Sequence, residues 1–214
     1  MSMSNADPQT RSAAQRLHAS LAARGVDRVV VHAMAQVPRH EFVPEDVRAS
    51  AYDDVALPIG LEQTISQPSL VGKMTQALRL NRWSRVLEVG TGCGYQTAIL
   101  AELASQVWSI ELEPTLSAEA QGRLRRLGYR NIELRVGDGY EGWPERAPFD
   151  AIVVTAAAPH VPPALVEQLK PGGRLVLPVQ RELVFVVKSA DGHVSETSLG
   201  EVAFVPLRRP TNNP

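Results

Sequence analysis

Residues 86–96 of the chain read VLEVGTGCGYQ, and this segment is the clearest indication of the fold. It opens with a short apolar run, which predicts a buried strand. Three glycines follow, at positions 90, 92 and 94, and a helical stretch begins immediately after them. Glycine permits sharp turns and lets the backbone approach a ligand closely. The stretch therefore predicts a strand, a tight loop and a helix, at the edge of a doubly wound sheet where ligands bind.

Strands and helices alternate downstream of this loop. Helices are predicted over 95–104, 114–128 and 162–169, and strands over 85–90, 106–111, 131–137, 149–158 and 172–179. Such alternation predicts a parallel sheet with helices on both faces. The tail, residues 182–207, reads as two further strands around the Asp191-Gly192 turn. We therefore expect an α/β fold with a doubly wound, mostly parallel sheet and a C-terminal β-hairpin at one edge.

The part before the sheet is predicted to be a helical extension. Residues 10–37 have helical apolar spacing, and Gly25 with Asp27 indicates a break and a fresh N-cap. Residues 38–67 are rich in proline and read as loop. The next helix is expected over 66–78, where Ser66 is a candidate N-cap and Pro68 suits the first turn.

The spacing of the glycines distinguishes between possible ligands. A dinucleotide fingerprint, G-x-G-x-x-G, needs glycine at position 95, where this chain has Tyr95. The pattern here is E-x-G-x-G-x-G, and it begins at Glu88. A carboxylate beside the loop would repel a pyrophosphate and would suit a ligand that carries positive charge. S-adenosylmethionine has no phosphate and carries both an ammonium and a sulfonium, so the loop predicts this cofactor.

Two further acids follow the next strands. Glu111 comes 21 positions after Gly90 (111 − 90 = 21) and ends the second strand, where an acid can accept hydrogen bonds from ribose hydroxyls. Asp138 follows the third strand between two glycines, where an adenine edge could bind. The expected cofactor-binding residues are Glu88, Gly90, Thr91, Gly92, Gly94, Tyr95, Gln96, Glu111, Leu112, Asp138 and Gly139.

Residues 85–180 resemble the class I methyltransferase signature, and motifs along the chain resemble one family within it. AYDDVALPIGLEQTISQPSLVGKMTQAL at 51–78 is similar to the substrate-side motif of protein-L-isoaspartate O-methyltransferases. So are EFVP at 41–44, RVGDGYEGWPERAPFDAIVVTAAA at 135–158, QLKPGGRLVLPV at 168–179 and FVPL at 204–207. The combination of TISQP with GDG-x-x-GWPE is specific to this family. The resemblance covers most of the chain from residue 38 to residue 207.

The resemblance implies an activity and an active site. Members methylate the free α-carboxylate of L-isoaspartyl residues in damaged proteins and peptides and release S-adenosylhomocysteine. The ester then closes to a succinimide, which reopens partly to normal aspartate. The position that matches the family's active-site serine is Ser66, and Thr64, Ile65 and Gln67 are expected to bind substrate beside it. Residues 1–80 would then form a helical, substrate-side segment and residues 81–210 the cofactor-binding domain, within one compact unit.

Two departures from the family pattern concern the peptide substrate. Glu62 precedes Gln63, where the family more often has glycine, and its charge could weaken binding of a carboxylate. The segment after Val179 is shorter than in many relatives.

Cys93 reads as a small loop residue, because methyl transfer to a carboxylate needs no nucleophile from the enzyme.

Composition limits the partners and the location of the chain. A net charge of −1 gives no general attraction to nucleic acid or to anionic membranes. A single cysteine fits a reducing compartment, and no apolar run reaches the length of a membrane span or a signal peptide. The five histidines lack paired metal-ligand spacing, so no metal site is expected. We expect a cytoplasmic monomer that binds neither nucleic acid nor membranes.

Three alternatives remain open from the sequence. One is a methyltransferase with a small-molecule or different macromolecular acceptor. Another is a cofactor-binding protein without turnover, although such a module has no need of the TISQP segment. The third is a nicotinamide-dependent dehydrogenase, which the absence of glycine at position 95 disfavours.

Overall fold

The computed structural model describes residues 7–210. Within that range the α-helices are Pro8–Ala23 (α1), Arg28–Gln36 (α2), Pro68–Leu78 (α3), Tyr95–Leu103 (α4), Pro114–Arg126 (α5) and Pro163–Glu167 (α6). The strands are Leu57–Gly60 (β1), Gln63–Ile65 (β2), Arg85–Val89 (β3), Gln106–Glu111 (β4), Ile132–Val136 (β5), Phe149–Val154 (β6), Leu169–Val179 (β7), Glu182–Lys188 (β8) and Val194–Glu201 (β9). Short 3-10 turns lie at Arg39–Glu41, Glu45–Ser50, Gly139–Glu141 and Pro144–Arg146.

The main sheet of the described range has the strand order β5-β4-β3-β6-β7-β8-β9. Strands β3 to β7 pair in parallel, whereas β8 and β9 pair antiparallel and form the far edge. The chain moves outward from β3 to β5 and then returns to place β6 on the other side of β3. This reversal creates a crevice at the carboxyl ends of β3 and β6. The predicted α/β fold, with a mostly parallel sheet and a hairpin edge, is confirmed.

The central strands are apolar on both faces because helices cover both faces. Leu87 and Val154 belong to one buried cluster, and Val86 and Val153 belong to another. Neighbouring residues of a strand point to opposite faces, so these clusters lie on the two sides of the sheet. The sheet is thus a rigid support for the loops at its carboxyl edge.

The N-terminal helices pack against the helices that follow the first two central strands. Leu17 of α1 and Val30 of α2 share a buried cluster with Ile99 of α4 and Leu124 of α5. The predicted break between the first two helices is present, with Gly25 at φ +84°. Asp27 occupies the N-cap position of α2 without a side-chain cap bond.

The predicted cap of α3 was wrong. Gln67, not Ser66, occupies the N-cap position of α3, and its side chain makes no cap bond. Asp54 supplies the missing acceptor, because its Oδ1 accepts from the Ser69 backbone N–H at 2.8 Å. Pro68 does begin the helix, as predicted. The Ser66 side chain is therefore not committed to capping.

Other segments also differ from the sequence prediction, among them β6, which ends four residues earlier than predicted. The segment predicted as loop contains the β1–β2 hairpin, whose register runs from Leu57 opposite Ile65. Helix α6 is shorter than predicted, because β7 already begins at Leu169. Strand β9 ends at Glu201, so residues 202–207 are not part of a strand as predicted. That last segment turns back toward the carboxyl edge of the sheet.

Among residues 7–210, no helix combines the length and the apolar character that a membrane crossing requires.

Candidate functional site

Two adjoining cavities lie at the carboxyl edge of the sheet. The first, called the strand-end cavity, has a volume of about 600 Å³. It is lined by Ile59, Gln63, Thr64, Val89, Gly90, Gly92, Ile110, Glu111, Leu112, Gly137, Gly139, Thr155, Ala156 and residues 205–208. Its walls come from the ends of β3, β4, β5 and β6, from the hairpin, and from the C-terminal segment.

The second, called the hairpin cavity, has a volume of about 450 Å³. It is lined by Thr64, Ile65, Ser66, Val71, Met74, Gly90, Thr91, Gly92, Cys93, Tyr95, Gln96 and Thr155. Thr64, Gly90, Gly92 and Thr155 border both cavities. Ligands bound in the two cavities would therefore meet at this common wall.

Gly90 brings the backbone of the loop against the end of β6. It has φ +94°, and a Cβ atom placed on it would lie 2.3 Å from Thr155 Oγ1. The Thr155 hydroxyl donates to the Gly90 carbonyl oxygen at 2.7 Å. Only glycine satisfies both the backbone angle and the close approach. The sequence predicted close approach to a ligand at this glycine, and the close approach that the structure shows is to the Thr155 side chain.

Glu111 ties the glycine loop to the end of β4. Its Oε2 accepts from the Gly92 N–H at 2.7 Å, and its Oε1 accepts from the Glu113 N–H at 3.0 Å. The side chain lines the strand-end cavity. Each carboxylate oxygen has a further lone pair. The carboxylate can therefore also accept hydrogen bonds from ligand hydroxyls, as the sequence predicts.

Glu88 does not lie at the expected ligand site, where the sequence predicted that its charge would favour a positively charged cofactor. Its side chain is fully buried and lines neither cavity. Oε2 accepts from the hydroxyls of Thr97 and Ser109, whereas Oε1 has no hydrogen-bond partner within the described range. Burial is the main cause that raises the pKa of Glu88 to about 8, while the two hydroxyls act in the opposite direction. The Glu88 side chain is thus buried away from both cavities, and its carboxyl group is largely neutral near pH 7.

We expect the Glu88→Gln variant to lose a pH dependence of stability that the natural chain has. The folded state holds a proton on Glu88 between its ordinary pKa of 4.5 and about 8. The unfolded state releases that proton, so the free energy of unfolding falls as the pH rises through this window. The full effect is on the order of 5 kcal/mol. Glutamine stays neutral and should flatten the slope.

Denaturant unfolding without ligands at pH 5, 7 and 9 measures this slope. Glu102→Gln is the control, because Glu102 lies on α4 and accepts from the Tyr129 hydroxyl near the surface. Parallel stability curves for the natural chain and the Glu88→Gln variant would show that Glu88 does not carry the proton.

Asp138 lies beside the strand-end cavity without lining it. Its Oδ1 accepts from the Tyr140 N–H at 2.9 Å, and its Oδ2 pairs with Arg209 Nη1 at 3.0 Å. The adjacent Gly139 does line the cavity, and a Cβ there would lie 2.3 Å from Val89 Cγ1. A larger residue at position 139 would therefore clash with Val89, and both oxygens of the Asp138 carboxylate already have hydrogen-bond partners.

Three of the four predicted substrate-binding residues lie together on one cavity. Thr64, Ile65 and Ser66 line the hairpin cavity, and they follow one another along β2 and its exit. Gln67 is exposed and lines neither cavity, because its side chain turns toward Ser69 Oγ at 3.2 Å. The structure thus places Thr64 and Ser66 on the hairpin cavity, and of these two only Thr64 also borders the strand-end cavity.

Several predicted cofactor residues face the hairpin cavity rather than the strand-end cavity. Thr91, Tyr95 and Gln96 line only the hairpin cavity. Gly94 lines neither, and it packs close to Leu124 of α5. Leu112 lines the strand-end cavity as predicted.

Cys93 lines the hairpin cavity, but its thiol is not activated. Burial raises the pKa of Cys93, which opposes formation of a thiolate. Trp143 is also buried, in the cluster of β3 and β6, so it packs rather than presenting a stacking face. Within the described range no group of three or more His, Cys, Asp or Glu side chains is arranged to hold a metal ion.

The C-terminal segment, residues 205–209, contributes to the site, although the sequence predicted a strand over residues 205–207. Ala157 N–H donates to the Val205 carbonyl, and Leu207 N–H donates to the Ala157 carbonyl, each at 2.8 Å. Arg208 pairs with Glu113 at 2.9 Å. These contacts hold the segment across the strand-end cavity. The FVPL motif at 204–207 marks this segment in the sequence, but its residue pattern does not reveal that the segment crosses the strand-end cavity.

Comparison with known proteins identifies the family. The family model described as protein-L-isoaspartate(D-aspartate) O-methyltransferase (PCMT) matches residues 12–212. A protein-L-isoaspartate O-methyltransferase of Opitutus terrae is 56% identical over 187 residues, which cover 86% of this chain and 80% of the relative. One from Anaeromyxobacter sp. is 54% identical over 203 residues, which cover 92% of this chain and 96% of the relative.

Solved structures agree with these sequence relatives. A protein-L-isoaspartate O-methyltransferase structure has a TM-score of 0.82 and 30% identity, covering 90% of this chain and 65% of that longer chain. A putative protein-L-isoaspartate O-methyltransferase from Plasmodium falciparum, in complex with S-adenosyl-L-homocysteine, has a TM-score of 0.80 and 26% identity. That match covers 91% of this chain and 98% of the other. With its fold, its two cavities and these matches, the chain belongs to the protein-L-isoaspartate(D-aspartate) O-methyltransferase family.

Proposed function

We propose that the chain transfers the methyl group of S-adenosylmethionine to the free α-carboxylate of L-isoaspartyl residues in damaged proteins. The ester would then close to a succinimide and begin repair. The observation that carries the proposal is the common wall of the two cavities, formed by Thr64, Gly90, Gly92 and Thr155. A cofactor in the strand-end cavity and an acceptor in the hairpin cavity would come into contact there. The names of the relatives supply the identity of the acceptor.

The strand-end cavity suits this cofactor in the chemistry of its lining. Glu111 would accept from the ribose hydroxyls, and Ile110, Leu112 and Leu207 give apolar surface for the adenine ring. When bound, S-adenosylmethionine supplies a methyl group on a positively charged sulfur that leaves as a neutral thioether.

The hairpin cavity would position the acceptor. A carboxylate is ionised and nucleophilic at neutral pH, so the chain needs no general base. The Ser66 hydroxyl would donate to one carboxylate oxygen and leave the other free to face the common wall. Orientation of this kind can supply up to about 7–11 kcal/mol of barrier reduction. Glu62 is exposed at the turn of the hairpin and does not line the cavity, so its charge is held away from the acceptor.

The repair reaction itself provides the test of this proposal. An isoaspartyl peptide incubated with the chain and S-adenosylmethionine should convert partly to its aspartyl form, and chromatography separates the two. The same mixture without cofactor is the control. A peptide that stays unchanged in both mixtures would contradict the repair proposal.

The alternative functions have their own discriminating measurement. Calorimetric titration compares S-adenosylhomocysteine with a nicotinamide dinucleotide, and we expect binding of the first alone. Tight binding of the dinucleotide alone would favour a dehydrogenase. Family membership does not favour a different acceptor or a module without turnover.

We expect that loosening the C-terminal segment weakens cofactor binding by about 2- to 30-fold. The double variant Arg208→Ala, Arg209→Ala removes the ion pairs to Glu113 and Asp138. Exposed pairs of this kind contribute about 0.2–1 kcal/mol each, so the two together contribute about 0.4–2 kcal/mol, which corresponds to about 2- to 30-fold in the dissociation constant. Calorimetry with S-adenosylhomocysteine gives that constant directly.

The matched control for this double variant is Arg146→Ala. Arg146 pairs with Glu133 at 2.8 Å and lines neither cavity. Equal affinities for the double variant, the control and the natural chain would show that the segment does not retain the cofactor.

We also propose that the chain acts as a cytoplasmic monomer without nucleic-acid or membrane partners. The single buried cysteine and the net charge of −1 support this proposal. Residues 1–80 and 81–210 would act as one unit, since one buried cluster contains side chains from both. Sedimentation of the purified chain tests the oligomeric state.

A further inference from the structure

The backbone of Ser66 is held by a buried arginine from outside the site. Arg39 begins the 3-10 turn Arg39–Glu41, and its side chain is fully buried. Its Nη2 donates to the Ser66 carbonyl at 2.8 Å, and its Nε donates to the Ala51 carbonyl at 2.8 Å. A third and longer contact joins Nη2 to the Val55 carbonyl at 3.4 Å. One guanidinium therefore links the N-terminal turn, the segment before the hairpin, and the exit of β2.

The same guanidinium also contacts a second wall of the hairpin cavity. Its central carbon lies 4.8 Å from the centre of the Tyr95 ring, which lines that cavity. Phe42 also packs against this ring, in an edge-to-face arrangement with the two ring centres 5.5 Å apart. Arg39 thus touches two residues that line the hairpin cavity, Ser66 and Tyr95, without lining the cavity itself.

The chemistry of this environment suits orientation rather than ion pairing. None of the carboxylates in the described range pairs with Arg39, and its Nη1 has no hydrogen-bond partner there. The charge is balanced by carbonyl dipoles and an aromatic face. Guanidinium has a rigid planar set of donors, which lysine cannot reproduce. A fixed carbonyl restrains the peptide plane between Ser66 and Gln67 and so limits the movement of the Ser66 backbone that carries the hydroxyl side chain.

We propose that Arg39 is a positioning residue for methyl transfer, which acts by fixing Ser66 toward the acceptor. This inference rests on the proposed function of the hairpin cavity. Preorganised supporting contacts of this kind determine whether a site is held within the tolerance that catalysis requires. Arg39 makes none of its contacts to the strand-end cavity, so it should influence turnover and not cofactor affinity.

A double-mutant cycle tests whether Arg39 acts through Ser66. In the natural background we expect Arg39→Lys to lower kcat for an isoaspartyl peptide by about tenfold, while the Kd of S-adenosylhomocysteine stays within about twofold. In the Ser66→Ala background the same change should alter kcat by less than about twofold. An equal loss in both backgrounds, or no loss in the natural one, would overturn the proposal.

The matched control is Arg85→Lys. Arg85 donates to the Arg146 carbonyl at 2.6 Å and stacks 4.4 Å from the Trp108 ring, at the opposite end of β3 from the cavities. We expect unchanged kcat for this variant. If circular dichroism shows that Arg39→Lys does not fold, Arg39→Gln replaces it in the same cycle; a folded Arg39→Lys variant that does not bind S-adenosylhomocysteine would overturn the proposal. Glutamine keeps donors for the carbonyls but has no charge.

Hydrogen exchange separates this inference from the proposed function. We expect amides of residues 63–67 to exchange faster in Arg39→Lys than in Arg85→Lys, since the tether on Ser66 is lost. This readout needs no acceptor. If residues 63–67 exchange faster in Arg39→Lys but the natural chain never methylates an isoaspartyl peptide, the proposed acceptor is wrong and the contact between Arg39 and Ser66 is supported. If methylation by Arg39→Lys is normal and exchange is unchanged, the proposed role of that contact is wrong and the acceptor is supported.

Discussion

The Gly90→Ala variant is expected to bind S-adenosylhomocysteine about 100-fold more weakly than the natural chain. The added Cβ would lie 2.3 Å from Thr155 Oγ1, a distance that real Cβ atoms do not tolerate. Overpacking of this kind costs about 1–3 kcal/mol and is relieved either by moving the loop or by rotating the Thr155 side chain, which breaks its hydrogen bond to the Gly90 carbonyl. Because Gly90 and Thr155 border both cavities, either movement would displace the common wall. Calorimetry with S-adenosylhomocysteine measures the loss.

A second glycine offers a closely matched control. Gly128 also has φ +94°, but a Cβ placed on it meets nothing within 4 Å. Gly128→Ala therefore carries the same backbone strain, about 1–2 kcal/mol, without the clash. We expect both variants to be destabilised and only Gly90→Ala to lose affinity. Equal affinities for the two variants would show that the close approach at Gly90 does not shape the site.

The Ser66→Ala variant is expected to lower kcat by about 10- to 100-fold with little change in cofactor affinity. A hydrogen bond to a charged group contributes about 1.5–3 kcal/mol, and here it would orient the acceptor carboxylate. Ser66 lines the hairpin cavity and not the strand-end cavity, which is why the two constants should separate. Steady-state kinetics with an isoaspartyl peptide and calorimetry with S-adenosylhomocysteine give the two values.

Ser69→Ala is the control for this variant. Ser69 lies three residues further along, in the first turn of α3, and lines neither cavity. Its backbone N–H is bound by Asp54, a contact that the substitution preserves. We expect natural turnover from Ser69→Ala. If Ser66→Ala also shows the turnover of the natural chain, Ser66 does not orient the acceptor carboxylate.

The central part of the fold could be predicted because its signals are local. The glycine loop at 90–94 follows an apolar strand and precedes a helix, and each step has its own pattern over a few residues. The Asp191-Gly192 turn similarly marks the hairpin of β8 and β9. Glu111 could be placed because its distance from the first glycine reflects the length of one strand–helix–strand unit.

The hairpin over the site could not be predicted because its turn lacks the usual residues. Leu61 and Glu62 both adopt positive φ, 50° and 58°, where hairpins of this type favour asparagine and glycine. Pro58 also argues against a strand. The strands are only four and three residues long, too short for a convincing alternation.

The remaining differences depend on contacts between distant parts of the chain. Asp54 caps α3 from 15 positions before Ser69, which no local capping pattern reveals. Glu88 is neutralised by burial between α4 and β4, a property of packing rather than of the E-x-G-x-G-x-G motif. The position of residues 205–209 across the strand-end cavity likewise follows from pairing with residue 157. Such long-range contacts are set by the tertiary structure.

Transfer of a labelled methyl group from S-adenosylmethionine to a matched pair of peptides tests whether the chain methylates isoaspartyl residues. The peptides share one sequence and differ only in an isoaspartyl or an aspartyl linkage at one position. The two-cavity account, together with the family to which the chain belongs, predicts a base-labile label on the isoaspartyl peptide alone. Equal labelling of both peptides, or of neither, would contradict it.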